Sequence, residues 1–224
     1  MDKELLENIG EKELIRRLSK FMPKNQVSDD CAFIKNKNNN FLINTDSLVE
    51  NIHFDNKTIS ALDIGWKVVA SNISDLLSSG CNKIIGVNIG LIVPAKTEWI
   101  WIEELYIGIN EALENFGGII LGGDCSVGKE KVVSMTVLGT QGELELRRKS
   151  CKPGDIILTT GIHGLSKLGL MIKNKKNFEN NIELSQALIR KSLQQFCKPK
   201  LRPKLLNKLI KSRPNKNISR IGCT

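Results

Sequence analysis

Four short acidic motifs stand where apolar runs give way to polar ones. They are Ser28-Asp29-Asp30-Cys31-Ala32, Asn44-Thr45-Asp46-Ser47-Leu48-Val49-Glu50, Asn72-Ile73-Ser74-Asp75-Leu76 and Gly122-Gly123-Asp124. A carboxylate at the edge of a core-forming segment must reach water, a hydrogen-bond donor or a cation, because burying it alone is prohibitive. Two such groups held about 4 Å apart repel by roughly 4 kcal/mol at an effective dielectric near 20. The fold must therefore either scatter these groups or gather them around a cation. An all-oxygen donor set suits Mg²⁺, which usually completes its coordination with water and a substrate's phosphates.

The chain has 224 residues, 41% of them hydrophobic, enough for one large domain or one and a half ordinary ones. No apolar stretch approaches the roughly 18 residues of a membrane span, and Met1-Asp2-Lys3-Glu4 is too charged for a signal peptide. A cytoplasmic protein is expected. The six cysteines (Cys31, Cys81, Cys125, Cys151, Cys197, Cys223) form no Cys-x-x-Cys pair, and His53 and His163 are the only histidines. Zinc is disfavoured by that pattern, and reduced, mostly buried thiols are expected. The net charge of +9 includes a lysine-rich stretch from Lys198 to Arg220. That stretch holds no aromatic residue and no nucleic-acid module, so a solvated basic helix is expected and nucleic acid is not a partner.

Helical and strand periods alternate along the chain. Glu11 to Lys20 reads as a helix with Leu14, Ile15 and Leu18 on one face, stopped by Pro23. Phe41-Leu42-Ile43 reads as a short strand delivering Asp46 at its end. Ser60 caps a helix striped by Leu62, Trp66, Val69, Ala70, Ile73, Leu76 and Leu77, with Gly80 ending it and Asp75 off the stripe beside Ser71, Asn72 and Ser78. Ile84 to Val93 is a strand closed by Pro94. Thr97 is placed to cap a helix striped by Ile102, Leu105, Tyr106, Ile109, Leu113 and Phe116, ended by Gly117 and Gly118. Ile119 to Leu121 is a strand running into Gly122-Gly123-Asp124, and Val132 to Gly139 is another. This alternation predicts an α/β (α+β mixed sheet) fold. A boundary falls at Arg147 to Asp155, separating domains 1–148 and 149–224. Beyond it a strand over Ile156 to Thr160, helices over Leu165 to Lys173 and Glu183 to Phe196, and a strand starting at Ile218 are predicted.

In order and spacing, the four acidic motifs, with His53-Phe54 and Lys152-Pro153-Gly154-Asp155, resemble bacterial thiamine-monophosphate kinase, of the superfamily of aminoimidazole ribonucleotide synthetase and selenophosphate synthetase. The Thr45-Asp46-Ser47-Leu48-Val49 run with His53-Phe54 is the specific element. The resemblance implies an N-terminal Mg-ATP-binding domain that dimerises through its sheet, and a second, incomplete α/β domain. It implies transfer of a phosphoryl group from ATP to thiamine monophosphate with several Mg²⁺ ions. Ser28 stands where the family usually has Gly, and Asn44 where it has Ser. The family continues beyond the position of Thr224 into an Asp-x-Ser-Asp-Gly-Leu motif, so a C-terminally truncated copy is expected. An inactive ATP-binding remnant, or another ATP-dependent enzyme of the superfamily, are the alternatives.

The resemblance also assigns roles. Asp30, Asn44, Thr45, Asp46, Asp75 and Asp124 become metal ligands, Gly123, Asp124, Arg148 and Tyr106 nucleotide contacts, and His53 a substrate contact. No side chain acts covalently, because phosphoryl transfer is catalysed mainly by positioning and charge screening. Taken singly these residues have plainer readings: Asp124 in a Gly-Gly turn, Asp75 on an exposed helix face, Tyr106 in a helical core stripe. Arg147 and Lys149 are expected to face solvent, and Gly161 to Ser166, which lacks the ending of a P-loop, to be structural.

Overall fold

The computed structural model describes residues 5–24, 26, 29–148, 152–157, 159, 161–175, 183–203 and 208. Ser28 and the segment from Ile218 to Thr224 lie outside these, as does most of the basic stretch. The elements are α1 (Gly10–Leu18), β1 (Ala32–Ile34), β2 (Phe41–Val49), α2 (Ala61–Ser78), β3 (Cys81–Val93), α3 (Trp99–Phe116), β4 (Ile119–Val127), β5 (Val132–Gln141), α4 (Leu165–Lys173) and α5 (Gln186–Cys197).

The five strands form one mixed sheet in the order β1-β2-β5-β3-β4. β5 is antiparallel to both β2 and β3, while β4 is parallel to β3. The chain therefore makes two parallel crossovers, β2-α2-β3 and β3-α3-β4, both stepping the same way across the sheet. Right-handed crossovers in one direction place their helices on one face. α2 and α3 accordingly pack together over a core of Ile64, Val68, Val69, Ile73, Leu76, Leu105 and Ile109 from the helices and Leu42, Val87, Ile89, Val133, Met135 and Val137 from the sheet.

The helices touch at backbone distance. A Cβ on Gly65 would stand 2.1 Å from the Leu105 carbonyl oxygen, and one on Gly108 would stand 1.9 Å from that of Leu62. These two glycines set the spacing of the helical layer. Ser60 caps α2 by accepting the Asp63 backbone N–H at 3.1 Å, and Gly80, at φ +94°, turns the chain into β3.

Side chains alternate across the sheet. In β2, Leu42, Asn44 and Leu48 are buried under the helices. The intervening Thr45 and Ser47 face the other way, where their hydroxyls meet Thr136 and Ser134 of β5 at 2.8 Å. No described element covers that second face, which is called the open face below.

Several expectations change. β2 does not end at Ile43 but runs to Val49, because continuous pairing with β5 and an uncovered face remove the need for apolar residues, so Asp46 lies mid-strand. Gly122-Gly123-Asp124 is not a turn but part of β4, with a register shift opposite Val87 and Asn88. A Cβ on Gly123 would come within 2.0 Å of the Ile89 carbonyl oxygen, so glycine is needed there for strand approach. The N-cap of α3 is Glu98, without a side-chain bond, and the Thr97 hydroxyl is buried without a partner. α1 forms, but Ile15 and Leu18 stay exposed. Asn72, grouped off the apolar stripe with Asp75, is fully buried. Cys125 is exposed, unlike Cys31 and Cys81, because β4 is an edge strand. Ile156 and Ile157 are in no strand and are almost wholly exposed.

α5 starts at Gln186 and returns to the first helical layer. Phe196 joins the core cluster, Lys67 Nζ lies 4.4 Å from its ring centroid, and Trp66 Nε1 donates to the Pro199 carbonyl at 2.9 Å.

Candidate functional site

The site is built where the middle of β2 passes the last turns of α2. Asp46, paired with Met135 in the ladder, projects to the helical side of the sheet. Asp75 reaches the same place from α2. Two asparagines join the elements. Asn44, buried on β2, donates from Nδ2 to Asp75 Oδ2 at 2.9 Å. Asn72 on α2 accepts the Asp46 backbone N–H on its Oδ1 at 3.0 Å.

The electrostatics follow from this placement. Asp75 is pushed up to about 6, first by burial and then by the Asp46 carboxylate, while the Asn44 bond and the Arg148 charge oppose the rise. Asp46 is also raised by burial, with His53 nearby pulling the other way. His53 is exposed, and its Nδ1 accepts the Val49 backbone N–H at 3.1 Å, which leaves Nε2 to carry the proton of the neutral ring.

The rim is formed by Asp29, Asp30, Arg147 and Arg148. The Arg148 guanidinium is half exposed and pairs with Asp30, and its backbone N–H donates to Asp29 at 2.9 Å. The Asp29 side chain is itself buried, and Arg147 binds it at 3.1 Å. Arg147 was expected to face solvent. Instead its guanidinium lies 3.5 Å from the Phe33 ring centroid, because the planar cation stacks on an aromatic face while bonding a carboxylate. Asp29 and Arg147 thus anchor the segment that presents Asp30 and Arg148. Lys149 lies outside the described residues.

The structure gathers Asp46, Asp75 and Asn44, with Arg148 and its partner Asp30 beside them. It does not bring Thr45 and Asp124 into that group. Thr45 faces the open side. Asp124 pairs in register with Gly90, and Gly90 with Ser134, which puts Asp124 on the open face too, where Ser126 Oγ donates to it at 3.2 Å. Tyr106 packs against the core, its hydroxyl raised by burial and by the nearby Cys125. Gly164, at φ +88°, turns the chain into α4 without a side-chain cap. A concavity lined by Trp66, Phe116, Leu201 and Arg202 holds none of these carboxylates.

Among the described residues no three His, Cys, Asp or Glu side chains form a metal cage. The donors that do converge are two carboxylates and an amide, all hard oxygen ligands, with a net negative charge that the protein leaves incompletely neutralised. That set fits Mg²⁺, which is typically held by one or two carboxylates together with substrate phosphates and water. The sequence pointed to the acidic residues through their motifs. It gave Asn72 no role, although that residue opens the Asn72-Ile73-Ser74-Asp75-Leu76 motif and is a polar side chain among the apolar positions of α2.

Comparison with known proteins agrees with this architecture. Residues 28–141 match the family of AIR synthase related proteins, N-terminal domain, and the chain belongs to that family. Among similar relatives, thiamine-monophosphate kinase from Prochlorococcus marinus is 43% identical over 211 residues, covering 94% of this chain and 63% of that protein. The enzyme of the same name from Synechococcus elongatus is 30% identical over 97% of this chain and 65% of its own length. The solved structure of AaThiL complexed with AMPPCP and TMP superimposes with a TM-score of 0.83 at 25% identity, covering 95% of this chain and 66% of that one. The chain thus spans a little under two thirds of these proteins. No described helix is long and apolar enough to cross a membrane.

Proposed function

We propose that this chain carries the nucleotide and metal machinery of a thiamine-monophosphate kinase, which moves the γ-phosphoryl group of ATP onto the phosphate of thiamine monophosphate. The observation that carries the reading is the Asp46–Asp75 pair, held half buried beside Arg148 on a sheet of the AIR synthase related type. The likeness to a protein solved with AMPPCP and TMP supports both substrates.

Asp46, Asp75 and Asn44 would hold Mg²⁺, with Asp30 joining them by exchanging its partner Arg148 for the ion. Thr45 on β2 and Asp124 on β4 are separated by β5 and β3, so they would act apart from each other, each offering an oxygen from the open face to a separate ion or its water. Bound Mg²⁺ supplies charge screening between phosphate oxygens. In the reaction an oxygen of the acceptor phosphate attacks the γ-phosphorus in line, and the bond to the β–γ bridging oxygen breaks, releasing ADP. Arg148, released from Asp30, would pair with nucleotide phosphate oxygens through its planar fork. Gly123 and Tyr106 would contact the nucleotide from the β4 side, and the Nε2–H of His53 would donate to the acceptor phosphate, fixing its orientation beside Asp46. No protein nucleophile is required.

The remaining parts of the reading are an N-terminal domain over residues 1–148, a partial second domain over 149–224, a homodimer formed through the open sheet face and a cytoplasmic location. Incubation with γ-labelled ATP, Mg²⁺ and thiamine monophosphate tests the activity, with labelled thiamine diphosphate as the expected product. Failure to bind Mg-ATP in calorimetry would overturn the site. Binding without transfer would instead select an inactive nucleotide-binding chain.

A further inference from the structure

We propose that Asn72 is a positioning residue, which with Asn44 forms a reciprocal brace between α2 and β2 that holds the Asp46 and Asp75 carboxylates at a fixed separation for a shared divalent cation. The inference rests on the metal reading above.

Asn72 has no exposed surface and sits among Val68, Val69, Ile73 and Leu76, positions that otherwise carry the apolar face of α2. An amide there is tolerated only when its polar atoms are paired. Nδ2 donates to the Val68 carbonyl one turn back at 2.8 Å, which fixes the side-chain rotamer and aims the other end of the amide outward. Oδ1 then accepts the Asp46 backbone N–H. β1 pairs with β2 only at Phe41–Ile43, so among the described residues no strand lies beside the outer backbone edge of β2 beyond Ile43. Asn72 supplies the acceptor at Asp46.

Asn44 returns the connection, running from β2 to the Asp75 carboxylate on α2. The cross-links start at positions two residues apart on β2 and three apart on α2. They therefore form a closed frame with Asp46 at one corner and Asp75 at another. Two neighbouring carboxylates without a cation repel, and free side chains would relieve the repulsion by separating. The frame keeps them together before an ion arrives, so less ordering remains to be done on binding. Groups that orient metal ligands in this way typically change metal affinity by about 10- to 100-fold when removed.

The test compares wild type, Asn72→Ser and the core variant Ile109→Val, with Mn²⁺ as the probe ion. Serine keeps a hydroxyl for the Val68 carbonyl but is too short to reach Asp46. Mn²⁺ affinity is measured by electron paramagnetic resonance, and exchange of the Asp46 amide hydrogen by NMR. The expected result is a loss of at least about tenfold in Mn²⁺ affinity for Asn72→Ser, faster exchange at the Asp46 amide, and neither change in Ile109→Val. Unchanged affinity in folded Asn72→Ser overturns the proposal, and so does an equal loss in Ile109→Val. If Asn72→Ser does not fold, the wild type decides: an unprotected Asp46 amide overturns the brace, and a protected one supports it. Absence of Mn²⁺ binding to wild type overturns the metal reading beneath, whereas protection at Asp46 distinguishes that failure from failure of the brace itself.

Discussion

Replacing Asp75 with asparagine should stabilise the metal-free protein while abolishing its response to magnesium. In the folded chain the Asp75 carboxyl is raised from its ordinary 3.8 to about 6. A raised carboxyl means that its ionised form is worse accommodated folded than unfolded. The sign is therefore the reverse of that for a salt-bridged aspartate: this group's contribution favours folding below 3.8 and is lost as pH rises through about 6. The rise from 3.8 to about 6 corresponds to roughly 3 kcal/mol. Asp75 is only half buried, so solvent screening reduces the usable figure to about 1–2 kcal/mol. The asparagine carbonyl can still accept the Asn44 amide, which keeps that bond in the variant. Thermal unfolding in a chelator near pH 8 should show Asp75→Asn higher by about 2–8 °C, since 1 kcal/mol shifts a domain of this size by about 2–4 °C. Near pH 4.5 the gap should largely close, because the wild-type carboxyl is then mostly protonated when folded. Magnesium at a hundred times its dissociation constant adds about 2.7 kcal/mol to wild type and little to the variant, so the order of stability reverses. A variant less stable than wild type near pH 8 in chelator, or a gap independent of pH, would refute the electrostatic account.

Four further outcomes follow from the same structure. Asp46→Asn should weaken Mg-ATP binding by at least about tenfold, roughly 1.4 kcal/mol by calorimetry, while leaving the circular dichroism spectrum intact; unchanged affinity counts against the metal assignment. Arg148→Ala should weaken nucleotide binding by about 1.5–3 kcal/mol, the range for a hydrogen bond to a charged group, in a fluorescent-nucleotide titration, and a change under twofold would remove Arg148 from the site. Gly108→Ala should cost about 3 kcal/mol in urea unfolding, since the added methyl group meets the Leu62 carbonyl carbon and oxygen on a packed helix; less than 1 kcal/mol would mean that α2 and α3 can separate at little cost. In native thiol titration Cys125→Ser should remove a fast-reacting thiol, while Cys31→Ser and Cys81→Ser should leave the fast phase alone, because burial pushes both of those thiols up to about 12.

The sequence carried the helical layer well. The stripe from Leu62 to Leu77, the Ser60 cap and the stop at Gly80 describe α2 almost to the residue, because a strong 3.6-residue period and capping chemistry are local signals. β2 and β4 were cut short for one reason: Asn44 to Ser47 and Gly122 to Ser126 are polar or glycine-rich, and strand pairing with β5 and β3 is a non-local fact that no window of sequence contains. The same gap separates the acidic motifs from the site. Motif order brought forward Asp30, Asp46, Asp75 and Asp124 together, but alternation along β2 and β4 decides which side of the sheet each occupies, and it places Asp124 apart from Asp46. The pairing of Arg147 with Asp29 across 118 residues was equally hidden, whereas Arg148 was marked by the resemblance.

The two same-handed crossovers leave Thr45, Ser47, Ser134 and Thr136 as hydroxyl rungs with no described helix above them. At these positions side-chain identity answers to whatever approaches from outside, not to the packing of the interior. Ser47, Ser134 and Thr136 can be rewritten residue by residue without touching the packed interior, which makes them the natural place to alter what the chain associates with while Asp46, Asp75 and Asn44 on the other face stay as they are.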